Sequence, residues 1–346
     1  MKGCLKRREA DVDNCGIDVA LKSSSVCILD GRGMVVLEEV IPTDEAGLGS
    51  VLKERSRMRC VLEAGPLAEW LAKLLEQLGH DAVVIDPRKA KGVIRTKKKT
   101  DRLDARNLAR MGKTGWYTPV HRKSVEARVT RTFLQARQGL VQTAVAQGSR
   151  IRGLLRAHGI KLGEVKESQF AAQVERLSCE KSRDLWEMLE PLVEVRRQAL
   201  RSSERMRRRM VELAVEGSVA RRLMTVPGVG PLTASAYVAT IDDPKRFRSS
   251  DQVAAYLGLV PSVAQSGELD VHGHITKEGD GMLRGYLVEA AHVLLTRKRG
   301  TCRLKQWGLK LAKKKGHGKA RVAVARKLAA LLHHLWITGE SYRAAA

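Results

Sequence analysis

GIDVALKSSSVCILDGRGMVVLEEV, residues 16–40, contains three short apolar runs separated by polar residues. The first run is GIDVAL, the second is SVCIL, and the third is MVVLEEV, which follows the glycine-rich turn DGRG. Short runs rich in valine and isoleucine and bounded by glycine and aspartate are typical of β-strands joined by hairpins. The stretch therefore predicts three antiparallel strands.

The order of the elements that follow indicates the fold class. A polar helix is predicted at residues 45–55, a strand at 59–64, an amphipathic helix at 66–78 and a strand at 81–86. Three antiparallel strands followed by alternating helices and strands is the order of an RNase H-like sheet. We therefore predict an α/β first domain with an RNase H-like fold.

The rest of the chain is predicted to be mainly helical. Residues 124–159 and 182–216 form two long helical stretches, and the second is rich in arginine. In the first stretch, apolar residues recur mostly at steps of three and four, as in a coiled-coil seam. The seam consists of Val129, Phe133, Ala136, Leu140, Ala144, Ile151 and Leu154. The two helices predict an arm at residues 123–217, which could be a spacer or a dimerisation element. Residues 218–346 follow as helices interrupted by a loop at 260–280.

The charge of the chain points to a polyanionic partner. The 346 residues include 63 Lys and Arg against 38 Asp and Glu, a net charge of +25, which favours nucleic acid. Because aromatic residues make up only 4%, we expect phosphate contacts rather than base stacking. The N-terminus lacks the apolar run of a secretory signal, and no segment is apolar for the length of a membrane span. We expect a cytoplasmic protein that does not bind membranes, and six scattered cysteines argue against a zinc site.

Four carboxylates occupy positions suited to metal binding. Asp18 interrupts the first apolar strand, Glu63 lies near the end of the fourth, and Asp101 and Asp104 share one face of a helix start. Acidic residues in the first turn also stabilise a helix through its dipole, so Asp101 and Asp104 taken alone are compatible with a purely structural role. Together, the four predict a Mg²⁺ site, since two such ions can assist phosphodiester cleavage.

A run of basic residues leads directly into the segment that carries Asp101 and Asp104. Residues 88–102 contain eight basic residues and one acidic residue. A charge run is usually a solvated surface, but this one adjoins the predicted metal site, and we predict that it holds phosphate groups. The residues concerned are Lys97, Lys98, Lys99 and Arg102.

Two features of the last domain also suggest phosphate binding. In VPGVG, residues 226–230, Gly228 and Gly230 would allow a helix-hairpin-helix turn whose N–H groups face a phosphate, although a plain helical hairpin is equally compatible. Residues 297–327 contain thirteen basic residues and no acidic one, including Lys313, Lys314 and Lys315. Such helices can bind anionic membranes, but the acidic set elsewhere favours nucleic acid.

Several motifs in order resemble one family. GIDVAL, LEAGP, TDRLDARNLA, VPGVGPLTASAYVATI, FRSSDQVAAYLGLVP and ITKEGDGMLRGYLVEAA resemble the DEDD transposases of bacterial insertion sequences, the bridge-RNA-guided recombinases. The resemblance spans residues from about 13 to 337. It implies a RuvC-like domain of RNase H fold at 1–122, a coiled-coil arm at 123–217 and a transposase domain at 218–346.

The resemblance also implies a mechanism and partners. The family's four acidic residues fall on Asp18, Glu63, Asp101 and Asp104, and its catalytic serine falls on Ser266. It implies that the acidic residues bind Mg²⁺ and that this serine attacks a DNA phosphodiester to give a covalent phosphoserine link. The implied partners are donor and target DNA, a non-coding guide RNA that pairs with both, and further copies of the chain in a dimer or tetramer.

The segment after the serine differs from many relatives, which carry glycine and basic residues there. Here Gly267 is followed by Glu268, Leu269 and Asp270, and two acids near a phosphate are unfavourable unless they point away or meet a cation. Farther along, Lys277 and Arg284 are predicted to contact phosphate.

Two other functions remain compatible with the sequence. A metal-dependent junction nuclease would need the carboxylates but not Ser266. A non-catalytic nucleic-acid-binding relative would need neither.

Overall fold

The structure is a computed structural model that describes residues 12–86, 101–266, 269–297, 300 and 302–343, with only the backbone at 263–266 and 269–272. The chain divides into two compact units, Met1–Arg122 and Lys123–Ala346. Each unit buries its own apolar core. Among the described residues, no helix is both long enough and apolar enough to cross a membrane.

The first unit is built on a five-stranded mixed sheet in the order β3-β2-β1-β4-β5. Strand β2 pairs with β1 and β3 in antiparallel fashion, whereas β4 pairs in parallel with β1, and β5 pairs in parallel with β4. The predicted α/β class and the three antiparallel strands are therefore confirmed, and the sheet is consistent with an RNase H-like domain. The strands are Asn14–Val19, Ser23–Leu29, Val35–Pro42, Arg59–Glu63 and Asp81–Ile85.

Helices cover both faces of this sheet. Helices α1 (Glu45–Leu52) and α2 (Ala68–Gln77) pack on the face that carries Ile17 and Leu62. Helix α3 (Asp101–Thr114) packs on the opposite face, against Cys27 and Leu29 among others. Because side chains alternate along a strand, β1 sends odd-numbered residues to one face and even-numbered residues to the other.

The second unit is mainly helical. Its two longest helices, α4 and α6, pack against each other and lie where the two long helical stretches are predicted. Ser124 caps α4, and Ser182 caps α6, each accepting a hydrogen bond from a backbone N–H in the first turn. The helices are α4 Val125–Ala157, α5 Phe170–Lys181, α6 Arg183–Glu216, α7 Ser218–Leu223, α8 Pro231–Ile241, α9 Ser250–Tyr256, α10 Gly281–Thr296, α11 Arg303–Lys315 and α12 His317–Thr338.

Only part of the predicted seam of α4 is buried within the single chain. Val129 is 62% exposed and Leu154 is 43% exposed, whereas Leu134 and Leu155 are fully buried. Over 33 residues, a straight helix with 3.6 residues per turn drifts away from a strict seven-residue repeat, so the buried stripe moves around its surface. Gly148 lies on this stripe, where the Arg196 side chain of α6 packs against it.

The loop predicted at residues 260–280 is also wrong over most of its length. It forms a β-hairpin of two antiparallel strands, β6 (Pro261–Ser266) and β7 (Leu269–Ile275), separated by two residues. A two-residue link is among the commonest hairpin connections. The polar content of the segment suggested a loop, but a two-stranded ribbon tolerates polar residues because both of its faces can meet solvent.

Candidate catalytic site and nucleic-acid interface

Asp18 and Glu63 stand at the ends of neighbouring parallel strands. In the register of β1 and β4, Gly16 pairs with Val61, so Asp18 and Glu63 lie two residues farther along the same direction. Gly16 and Val61 both face α3, since both lie against residues of that helix. Alternation along the strands puts Asp18 and Glu63 on the same face. Two carboxylates therefore start from adjacent strands about 4.8 Å apart, beside α3.

Helix α3 lies directly on β1 because residue 16 is glycine. A methyl group on Gly16 would overlap the Ala105 carbonyl oxygen and the Ala109 nitrogen, and would lie 2.8 Å from Leu108 Cβ. Farther along α3, a methyl group on Gly112 would lie 3.1 Å from Asn14 Oδ1. The helix thus runs antiparallel to β1, with its C-terminal turns near the start of the strand.

This antiparallel packing brings the start of α3 toward Asp18. Two strand residues advance by about 6.6 Å, a distance that about four helix residues cover. Counting from Gly16 and Ala105, the position beside Asp18 is therefore the first turn of α3, which carries Asp101 and Asp104. The backbone thus places the first turn of α3 toward the end of the sheet face that carries Asp18 and Glu63.

The side chains at this end of the sheet remain open to solvent to different extents. Asp101 is exposed, whereas Asp18, Glu63 and Asp104 are half-buried, and Ser25 is buried opposite Asp18 on β2. Among the residues that the structure describes, no three acidic, histidine or cysteine side chains are gathered closely enough to hold a metal ion. The backbone therefore brings these positions toward one end of the sheet, but the described side chains do not form a set of metal ligands.

An ion pair that the sequence did not reveal fixes α3 across the sheet. Arg106 donates two hydrogen bonds to Glu38 on β3, at 2.7 and 2.8 Å. The guanidinium holds the pKa of the Glu38 carboxyl below its ordinary value. Burial, together with the nearby Glu38 carboxylate, raises the pKa of the Cys27 thiol to about 11. In the strand register, Glu38 pairs with Cys27, which faces α3. Strand alternation could therefore have predicted from the sequence that Glu38 also faces this helix.

Ser266 is the last residue of β6, at the tip of the hairpin, where it pairs with Leu269. Glu268 lies outside the described residues, and of Asp270 only the backbone position in β7 is described. At the other end of the hairpin, Arg284 donates to two backbone carbonyls, whereas Lys277 is exposed. The serine belongs to the second unit and the acidic set to the first.

The two glycines of the predicted helix-hairpin-helix turn have different environments. Gly228 has a φ of +90°, and a methyl group on it would lie 2.5 Å from the Ala290 carbonyl oxygen of α10. Gly230 precedes α8 and has open space around its Cα. The turn and the start of α8 border a cleft of about 340 Å³ that Arg207, Arg297 and Glu289 also line. Gly228 thus serves packing, and Gly230 adjoins a cleft with two basic side chains and one acidic side chain.

An exposed basic surface lies on α11 and α12. Lys313, Lys314 and Lys315 are exposed in the last turn of α11, and the ammonium of Lys327 lies 4.1 Å from the centre of the Trp307 ring. Lys305 is an exception, since it is buried and donates to backbone carbonyls. The sequence offers no acidic residue between 297 and 327 to offset this charge.

The arginines of α6 differ because many of them are paired. Arg207 and Arg208 both contact Glu204, and Arg209 contacts Glu212. An arginine paired with a carboxylate contributes less net positive charge than a lysine with no acidic neighbour, so we expect α11 and α12 to attract anions more strongly than α6 does. Of the basic run before α3, Arg102 is exposed in the first helical turn, whereas Lys97, Lys98 and Lys99 lie outside the described residues.

Comparison with known proteins places the chain among transposases. The DEDD transposase model of the IS110 type matches residues 15–160, and the model described as the transposase IS116/IS110/IS902 family matches residues 220–306. The chain is similar to the transposase for insertion sequence element IS1111A of Coxiella burnetii, with 28% identity over 351 residues, 99% of this chain and 94% of the relative.

Two further relatives agree. A putative transposase of Sinorhizobium fredii is 30% identical over 290 residues, 82% of this chain and 74% of its own length. A probable family 20 transposase of Pseudomonas aeruginosa is 27% identical over 343 residues, 96% of this chain and 99% of its own length. These matches cover both structural units, and the protein therefore belongs to the DEDD transposase family.

Proposed function

We propose that the protein is a DNA transposase that cuts and rejoins strands through Ser266, assisted by Mg²⁺ at Asp18, Glu63, Asp101 and Asp104. The observation that carries the proposal is the packing of α3 on Gly16, which supports a location for the first turn of α3 near the ends of the strands that carry Asp18 and Glu63. Family membership supplies the reaction class, since the relatives are transposases.

The four carboxylates suit a hard divalent cation in chemistry and in backbone placement. Mg²⁺ prefers carboxylate oxygens and keeps several waters, so an open set of acidic residues is compatible with it. Held by these four residues, the ion would supply positive charge that offsets the negative charge developing during cleavage. The carboxylates would hold the ion at a fixed place, because the strands and the helix that carry them pack against each other in the first unit.

Ser266 would act as the nucleophile. Its Oγ forms a bond to phosphorus, the bond from phosphorus to the leaving strand oxygen breaks, and that oxygen takes up the proton that the serine releases. A strand hydroxyl then attacks the phosphoserine, and Ser266 regains its proton as the new phosphodiester forms. The covalent link keeps the phosphodiester energy for rejoining.

Nucleic acid would lie along the basic helices. The exposed lysines of α11 and the cleft beside Gly230 are proposed to contact phosphates of donor DNA, target DNA and a guide RNA. We further propose a dimer or tetramer, because α4 exposes Val125 and Val129 along a groove of about 490 Å³. An exposed apolar stripe of this kind is typical of a surface that binds another protein chain.

The proposal can be tested by trapping a covalent adduct with DNA, Mg²⁺ and candidate flanking RNA. Ser266→Ala should abolish the adduct. Ser262→Ala is the matched control, since this exposed serine lies on the same strand and its hydroxyl donates to the His274 carbonyl at 3.1 Å. Asp18→Asn should lower the amount of adduct by at least about 100-fold, as loss of a charge-stabilising group does.

Each other outcome selects a different function. Cleavage retained in Ser266→Ala would indicate a metal-only nuclease. Binding without any cleavage or adduct, under every RNA condition tried, would indicate a non-catalytic relative.

A further inference from the structure

One arginine side chain binds both of the chain segments that flank the β6–β7 hairpin. Arg284, near the start of α10, donates from Nη1 to the Leu257 carbonyl oxygen and to the Glu278 carbonyl oxygen, at 2.9 Å each. Leu257 lies four residues before β6, and Glu278 lies three residues after β7. The guanidinium thus bridges the chain entering the hairpin and the chain leaving it, a pair of segments that we call the hairpin root.

The backbone of the hairpin root is packed too closely for ordinary side chains. Gly258 and Gly279 have φ values of +63° and +71°, and a methyl group on either would overlap backbone atoms of the opposite segment. Lys277 has a φ of +56° although it is not glycine. Its N–H donates to the Gly258 carbonyl at 3.2 Å, and the Thr276 N–H donates to the Val260 carbonyl at 2.9 Å. Left-handed residues of this kind persist only where surrounding contacts hold them.

An ion pair anchors the root to a second helix. The Asp280 carboxylate accepts from the Leu283 N–H at 2.7 Å, which caps α10, and lies 2.6 Å from Nη1 of Arg131 on α4. Both side chains are largely buried. Arg131 also donates to Thr240 Oγ1 at 2.9 Å, so the same guanidinium ties α4 to the end of α8. The root is therefore connected to three helices through side chains.

A long strand makes the hairpin tip sensitive to small movements of the root. From Pro261 to Ser266 the strand extends by roughly 17 Å. A tilt of about 4° at the root would move the tip by about 1 Å, and a 1 Å misplacement of a reacting group can cost about 100-fold in rate.

We propose that Arg284 is a positioning residue that fixes the direction of the hairpin, and thereby the place of Ser266, through its two carbonyl bonds. This role replaces the phosphate contact that the sequence predicts for Arg284, and it rests on the proposed function of Ser266. The guanidinium of Arg284 is half-buried, and its Nη1 already donates hydrogen bonds to both segments of the root. Substitution should therefore disturb the geometry of the hairpin before it disturbs binding.

The first test needs no chemistry and no nucleic acid. Hydrogen exchange is measured on peptides covering β6 and β7 in the full-length protein and in Arg284→Ala, Arg284→Lys and Arg248→Ala. Arg248 is the matched control, an exposed arginine just before α9 that carries the same charge. We expect at least about tenfold faster exchange of the hairpin in Arg284→Ala, a smaller change in Arg284→Lys, and none in Arg248→Ala. Exchange in α12 should stay unchanged.

The second test measures adduct formation and nucleic-acid affinity on the same variants. Arg284→Ala should slow adduct formation about 100-fold at saturating DNA, Arg284→Lys should recover part of the rate, and affinity should be unchanged. If Arg284 instead contacts phosphate, affinity falls and the slope of log affinity against log salt drops by about one.

The outcomes separate this proposal from the proposed function. Unchanged hairpin exchange in Arg284→Ala overturns the positioning role. The role is also overturned if exchange increases throughout the second unit in both Arg284→Ala and the control Arg248→Ala. Failure of the wild-type protein to form any adduct overturns the proposed function alone, because the exchange experiment still decides the role of Arg284.

Discussion

Replacing Gly16 with alanine should separate α3 from β1. The added methyl carbon would lie 2.0 Å from the Ala105 carbonyl oxygen, whereas a carbon and a carbonyl oxygen approach to about 3.3 Å, so α3 must retreat by roughly 1.3 Å. Because this oxygen belongs to the helix backbone, no side-chain rotation relieves the clash. Overpacking against backbone atoms that cannot rotate away should cost about 3 kcal/mol, the upper end of the usual range of about 1–3 kcal/mol, and removing a strand glycine offsets about 0.5–1 kcal/mol of this. We expect a net loss near 2 kcal/mol.

Native-state hydrogen exchange of β1 and β2 measures this loss directly. A loss of about 2 kcal/mol in the free energy of opening corresponds to roughly 30-fold faster exchange of protected amides. Gly139→Ala is the control, because a methyl group there meets nothing within 4 Å in helix α4 and should stabilise that helix by about 1 kcal/mol. Since Asp101 and Asp104 move with α3, cleavage should also fall in the Gly16 variant. Wild-type exchange rates in Gly16→Ala would refute the proposed contact between α3 and β1.

Three further predictions follow from other contacts. Glu38→Gln should reduce stability by up to about 1 kcal/mol near neutral pH. Because Arg106 lowers the pKa of Glu38, this difference should disappear in urea titrations as the pH falls through the carboxyl's folded pKa. Burial lowers the pKa of Lys123 to about 8, so the unfolded chain binds more protons above that pH. Wild-type stability should therefore rise relative to Lys123→Met between about pH 8 and pH 10.5, as followed by thermal unfolding. Gly228→Ala should lower the melting temperature of the second unit because of its φ of +90° and the contact with α10, whereas Gly230→Ala should leave it nearly unchanged.

The sequence predicted the elements of the sheet well because their signals are local. The apolar runs that became β1, β2 and β3 are each bounded by turn residues, and the observed strands differ from the predicted ones by at most two residues at either end. The two long helices were also predicted close to their observed bounds, and the structure shows that serines, Ser124 and Ser182, cap them. Such features depend on neighbours in the chain and need no knowledge of tertiary contacts.

Features that depend on distant contacts were missed or misassigned. The buried stripe of α4 is set by how α6 lies against it, which the spacing of apolar residues does not reveal over a helix of this length. The pairing of Arg106 with Glu38 joins residues 68 positions apart. Arg284 looked like one more basic residue in a basic domain, and only the positions of two backbone carbonyls give it a different role.

The carboxylates and the serine are supported in physically different ways. Asp18 and Glu63 start from a sheet packed on both faces, so a change that moves them must first disrupt a core. Ser266 ends a two-stranded ribbon, and such a ribbon has little stability of its own, so its direction depends on the few bonds at its root. Substitutions beneath the acidic set, such as at Gly16, should therefore reduce stability and activity together. Substitutions at the hairpin root, such as at Arg284, should reduce activity while most of the stability of the second unit remains.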